Sequence, residues 1–162
     1  MKIIDNFLPI KNYNKLKNLM LGKDLPWYYN PDVNFKNIDS NDFLFYMTHM
    51  FYNFDNAQSP FFKIINENLL NFIDVKSLIR VKGNLYPNQM VRKTNGYHKD
   101  YEWEHKGAIF YINSNNGRTI FEDNTKVESV ANRILFFNPS IKHDSENCND
   151  QKVRVNLNIN YF

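Results

Sequence analysis

Four side chains in the last third of the chain have the types and spacing to hold a metal ion and an anion. His98 and Asp100 form an H-x-D pair, His143 follows at a distance, and Arg154 lies eleven residues beyond it. Alternate residues of an extended segment point the same way, so His98 and Asp100 can aim an imidazole and a carboxylate at one point. Lys99 must then face elsewhere. Two imidazoles and one carboxylate on one face of an ion are the donor set of a mononuclear non-haem iron centre, with the opposite positions open. An H-x-D tripeptide alone arises often by chance, and the distal His and the Arg in this order add the specificity. A guanidinium grips a carboxylate through two parallel hydrogen bonds, and that is the chemistry open to Arg154.

These groups need strands to carry them. Over 153–161 apolar and polar residues alternate strictly, which puts Arg154, Asn156, Asn158 and Asn160 on one face and an apolar set on the other. Two readings of the polar face stand. It is either the wall of a site, or a solvated outer face with an ordinary surface Arg. Further strand-like runs span 78–86, 107–113, 119–121, 132–138 and 152–161, separated by Asn/Gly/Ser/Pro clusters with turn chemistry.

The N-terminal part reads differently. An apolar opening at 1–5 precedes Tyr13, Leu16, Leu19 and Met20 at helical spacing, with Gly22 as a C-terminal stop. Residues 26–29 are aromatic and extended, the stretch to Asp42 is polar and loop-like, and 43–52 has strand composition. Ser59-Pro60 opens a second helix whose apolar stripe is Phe62, Ile65, Leu69 and Phe72, running to about residue 74. Two helices followed by many short strands predict a mainly β fold with flanking helices (α+β). The expected form is a double-sheeted barrel or jelly roll buttressed by the two N-terminal helices.

A chain of 162 residues, 43% hydrophobic and 16% aromatic, is long enough for one packed core, and a single domain over 1–162 is expected. The net charge of +3 comes without a run of like charge, so nucleic acid is permitted as a partner but not demanded. The single Cys148 excludes an internal disulfide and a multi-cysteine metal site. No stretch has the apolar length of a membrane span or the character of a signal peptide. A soluble protein of a reducing, cytoplasmic compartment is the expectation, and such a compartment also keeps iron ferrous.

The residues around the metal motif carry a resemblance. Asn84-Leu85-Tyr86-Pro87 lies before H-x-D and Ile109-Phe110-Tyr111-Ile112-Asn113 after it. Asn116-Gly117-Arg118-Thr119-Ile120-Phe121 follows, and Asn132-Arg133-Ile134-Leu135-Phe136-Phe137 precedes the distal His. With the opening Asp5-Asn6-Phe7-Leu8-Pro9 and the Pro26-Trp27-Tyr28-Tyr29 block, the chain resembles the Fe(II)/2-oxoglutarate oxygenases of the prolyl-4-hydroxylase-like group. The small versions encoded by tailed phages are the most similar, which would place the protein in a host cytoplasm.

The resemblance implies a double-stranded β-helix, cupin-like, with iron on His98, Asp100 and His143. It implies 2-oxoglutarate and dioxygen as co-substrates, with Arg154 on the distal carboxylate and Tyr111, Tyr86 and Asn84 contacting 2-oxoglutarate. It further implies hydroxylation of a C–H bond, with release of succinate and CO2. A peptidyl or free amino acid is the favoured substrate, ahead of a nucleobase of DNA or RNA and a small metabolite. Asn84-x-Tyr86 also resembles an element of the nucleic-acid dealkylase branch, but that branch has a second Arg where this chain has Asn160. The non-enzymatic alternative is a cupin-like binding module, which has no need of the full triad with Arg154. Among the remaining groups, His105 is a rival ligand and His49 is a core or substrate-side residue. Arg80, Lys82, Arg118 and Arg133 are rivals for the carboxylate, and Cys148 has no setting that would activate it.

Overall fold

The computed structural model describes residues 1–31 and 45–162. The loop expected up to Asp42 and the first two positions of the strand expected over 43–52 lie outside the described residues. In chain order the elements are β1 (Lys2–Ile4), α1 (Ile10–Leu21), β2 (Tyr28–Asn30), β3 (Tyr46–Asn53), β4 (Asn56–Ala57) and α2 (Phe62–Asn68). Then come β5 (Leu78–Pro87), β6 (Lys106–Tyr111), β7 (Asn115–Phe121), β8 (Lys126–Ser129), β9 (Arg133–Phe137), β10 (His143–Ser145) and β11 (Val153–Tyr161).

The strands form two antiparallel sheets in a jelly-roll arrangement. The large sheet runs β1-β9-β6-β11-β5-β3-β2, with β4 on β3, and the small one runs β10-β7-β8. The strictly alternating β11 sits in the middle of the large sheet, paired with β5 on one side and β6 on the other. One face of the large sheet packs against the helices. Val155, Leu157, Ile159, Val81 and Phe110 meet Leu16 and Met20 of α1 and Ile65 of α2 there in one buried cluster. The other face meets the small sheet, where Ile109, Tyr111, Leu135 and Phe137 pack on Phe121 and Val127. Polar residues of β11 and β5 on that same face are shielded from water because a second sheet covers them.

One sequence expectation holds and two need correction. Gly22 stops α1 as expected, in an extended conformation with φ −80° and ψ 178°. The second helix is shorter than its apolar stripe implied. It ends at Asn68, a 3-10 turn at Leu70–Phe72 follows, and Phe72 is 42% exposed. Ile65 and Leu69 are fully buried, and once they are covered the chain turns to reach β5. The solvated reading of the polar β11 face also fails, because Arg154, Asn156, Asn158 and Asn160 are all buried.

Candidate metal centre

Backbone pairing brings the two histidines together, His98 from the segment between β5 and β6 and His143 from β10 of the small sheet. His98 and His143 exchange both main-chain hydrogen bonds at 2.9 Å, and their ring centroids are 4.6 Å apart. Asp100 is placed by its own N–H, which donates to Pro139 O at 3.0 Å. Ligand atoms of His98, Asp100 and His143 all lie within 4.8 Å of one another. His143 Nδ1 lies 3.0 Å from Ile141 O, and His98 Nδ1 lies 3.4 Å from Gly96 O. A carbonyl can only accept, so each Nδ1 carries the proton and each Nε2 keeps its lone pair for a metal. The donor set and its tautomers fit a divalent iron.

The protonation states point the same way. Burial, and next the neighbouring His143, push the His98 imidazole down to about 4. Burial alone would raise the Asp100 carboxyl, but Arg80, His143 and Asn160 together hold it well below the usual carboxylate range. Arg80 Nη2 donates to Asp100 Oδ1 at 2.9 Å, while Asn158 and Asn160 donate to Oδ2 at 3.1 and 2.9 Å. The site at neutral pH is thus an anion and a neutral His98 imidazole, already deprotonated for metal binding.

A pH prediction follows for the metal-free protein. Between about 6.5, the ordinary value, and about 4, the unfolded chain binds a proton at His98 that the folded chain does not. Stability is therefore fully present above that window and falls as the pH drops through it. Denaturant titrations of chelator-treated protein at several pH values should show this slope, and His98→Gln should flatten it. An equally steep slope in the variant would put the proton uptake on another group.

Arg154 is the deepest charged group of the same cavity, 1% exposed. Its guanidinium lies 5.1 Å from the Tyr86 ring centroid and 5.9 Å from that of Tyr111. Nε donates to Ser129 Oγ at 2.9 Å and Nη2 to Thr119 Oγ1 at 3.2 Å, but Nη1 is buried without a partner. An orphaned guanidinium nitrogen is costly unless an anion completes it. A carboxylate fits that requirement.

Gly117 makes room for this arginine. A Cβ there would stand 2.7 Å from Arg154 Cδ and 2.8 Å from Glu146 O, and the backbone oxygen cannot swing away. Gly117→Ala should cost about 1–3 kcal/mol of stability through overpacking. It should also weaken binding of a dicarboxylate such as 2-oxoglutarate, if Arg154 is the anion site, by displacing the guanidinium. Melting curves and calorimetric titration of the same variant separate the two effects. A loss of stability with unchanged binding would remove Arg154 from the anion site.

The other expected residues fall out as follows. Tyr86 and Asn84 line the cavity, and Asn84 Nδ2 donates to Asn156 Oδ1 at 3.1 Å. Tyr111 is fully buried behind the cavity wall, with its hydroxyl 2.8 Å from Thr119 Oγ1, so it touches the arginine's seat instead of the cavity lining itself. His105 is not in the ligand group. Its Nε2 accepts from Asn160 Nδ2 at 3.0 Å and its Nδ1 donates to Trp103 O at 2.9 Å. Among the rivals for the carboxylate, Arg118 pairs with Glu128 at 2.9 Å, Arg133 with Asp5 at 2.9 Å, and Arg80 with Asp100. His49 is a satisfied core residue between Pro26 O and Ser59 Oγ, both at 2.7 Å. Cys148 is buried, and burial pushes its thiol up. Sequence reasoning did not single out Thr119, Ser129 and Ser145, because isolated hydroxyls carry no periodic signal. The pairing of Asn158 and Asn160 with Asp100 was legible only as a shared face.

No protein-family model matches the chain, and no curated protein sequence does. Solved structures do. A Trichoplax adhaerens prolyl hydroxylase, solved with a peptide fragment of the hypoxia inducible factor oxygen degradation domain, superposes with a TM-score of 0.68 at 14% identity, covering 99% of this chain and 82% of that one. A Pseudomonas putida prolyl-4-hydroxylase gives 0.61 at 18% identity over 99% and 90%. A 2OG-Fe(II) oxygenase family member from Burkholderia pseudomallei gives 0.64 at 9% identity over 98% and 82%. At such identities the likeness is one of fold, and it spans nearly the whole chain. The protein has the fold of the prolyl-4-hydroxylase-like 2-oxoglutarate- and Fe(II)-dependent oxygenases.

Proposed function

We propose that the protein is an Fe(II)- and 2-oxoglutarate-dependent dioxygenase, one domain over 1–162, that hydroxylates a C–H bond of a peptidyl or free amino acid. The observation that carries the proposal is the joint presence of a convergent His98–Asp100–His143 group and a buried guanidinium with one open donor in a single cavity. Iron and 2-oxoglutarate, when bound, would supply the oxidising chemistry, with dioxygen consumed and succinate and CO2 released. This chain's own residues do the positioning. Main-chain carbonyls hold the two imidazoles with Nε2 forward, and Arg80, Asn158 and Asn160 hold the carboxylate. Arg154 takes the far carboxylate of 2-oxoglutarate, Tyr86 and Asn84 flank it, and Tyr111 with Thr119 keeps the guanidinium in place.

The amino-acid reading draws support from the peptide bound to the Trichoplax structure. The dealkylase alternative is disfavoured by Asn160, whose amide spans Asp100 and His105 where a second arginine would be needed. The test is iron-dependent succinate release from 2-oxoglutarate, screened over peptides, amino acids, nucleosides and oligonucleotides. Release above the uncoupled background with an amino acid or peptide is the expected result. A protein that binds metal and 2-oxoglutarate yet never forms succinate would be a binding module.

A further inference from the structure

Lys82 is the cation lining the cavity that this chemistry leaves unused. It lines the cavity from β5, near enough to Asp100 to sense that carboxylate's charge. The β5–β11 register pairs Lys82 with Asn158 and Tyr86 with Arg154. Four residues of strand, about 13 Å at roughly 3.3 Å each, therefore separate the points from which the two cations rise. A five-carbon dicarboxylate has four C–C bonds of about 1.5 Å, so its carboxyl carbons stand at most ~5 Å apart. One molecule of 2-oxoglutarate seated on Arg154 and the metal leaves the Lys82 end of the floor for something else.

Lys82 also lacks a bonded partner of its own among the described residues. Among the described residues no hydrogen bond or ion pair is made by its ammonium. Its ammonium lies over the Tyr46 ring, with Nζ 5.7 Å from the centroid. Asp100, the nearby carboxylate, is already taken by Arg80 on one oxygen and by Asn158 and Asn160 on the other. Burial, and next the Arg80 charge, push the ammonium down to about 8. A desolvated cation whose neighbouring carboxylate is already bonded to other groups is unfavourable, and an anion entering the cavity would relieve it.

We infer that Lys82 anchors a carboxylate of the primary substrate next to the metal, so that the substrate is a carboxylate-bearing compound. The inference rests on the oxygenase reading above and narrows it, since a free amino acid or an acidic side chain qualifies and a neutral peptide segment does not.

The test uses the Mn(II)-loaded protein, kept anaerobic and saturated with 2-oxoglutarate. Sodium acetate is the probe, at constant ionic strength, and acetamide is the neutral control. Paramagnetic broadening of the acetate methyl resonance reports binding beside the metal. Saturable broadening is expected with wild type, absent with acetamide and retained in Lys82→Arg. In Lys82→Met acetate should bind about ten- to a hundredfold more weakly, the scale of one hydrogen bond to a charged group. Lys82→Met is close in length and removes a half-buried charge, so it should melt at or above the wild-type temperature. Equal broadening in Lys82→Met, or none that saturates in wild type, would overturn the inference. A Lys82→Met protein that instead loses affinity for 2-oxoglutarate would assign Lys82 to the co-substrate's near carboxylate, which also overturns it. Failure of wild type to bind Mn(II) and 2-oxoglutarate would sink the oxygenase reading itself, and it is visible before any acetate is added.

Discussion

Arg154→Ala is expected to weaken 2-oxoglutarate binding by about 2–5 kcal/mol, the scale for truncating one partner of a buried, hydrogen-bonded charge pair. At about 1.4 kcal/mol per tenfold, the low end is already roughly thirtyfold. The bound carboxylate would lose its charged donor in a cavity from which water is largely excluded, leaving two tyrosine rings and a pair of hydroxyls around it. Arg154→Lys keeps a charge but replaces the planar fork by a point donor, and Ser129 and Thr119 cannot both stay satisfied. Its affinity should fall between the other two. Because Arg154 is buried, both variants should also lose some stability, so melting curves must accompany the binding data. Anaerobic calorimetry on the Mn(II) protein is the measurement. Variants that are less stable yet bind 2-oxoglutarate as wild type does would make Arg154 a structural residue.

His143→Ala should abolish succinate formation while the protein stays folded. Removing an outer partner of a metal ligand already costs roughly 10–100-fold in affinity or activity, and removing the ligand itself must cost more. His105→Ala is the matched control. It breaks the hydrogen bond to Asn160, which itself holds Asp100, so a partial loss is expected and not an abolition. If His105→Ala were the inactive protein and His143→Ala the active one, the metal would sit elsewhere. Circular dichroism and a melting curve for each variant exclude unfolding as the cause.

Much of the candidate site's donor set was legible in the sequence. Alternation in an extended segment was enough to bring His98 and Asp100 to one side and turn Lys99 away. The nine-residue alternation over 153–161 isolated Arg154 and three asparagines on a single face. The order of H-x-D, distal His and Arg narrowed the chemistry to a metal with an anion beside it. Helix positions and most strands were also readable, since turn residues punctuate them. The small strand β8 and the exact end of α2 were not readable, because both are set by what packs on them.

Period-two patterning reports which residues share a face, but it says nothing about what lies opposite. The same alternation describes a wet edge sheet and a covered central strand, so Arg154 had two readings until the β10-β7-β8 sheet was seen above it. That covering sheet supplies Thr119 through β7 and His143 through β10, and Gly117 of β7 leaves the gap that admits the arginine. The assignment of Arg80 to Asp100, and of His105 to Asn160, likewise needed tertiary contacts between strands distant in sequence. By itself the sequence determined the donor types, their order and the faces they share, because these follow from local backbone geometry. Only the tertiary structure decided which faces are dry and which cation has an anion, because burial and pairing depend on long-range register.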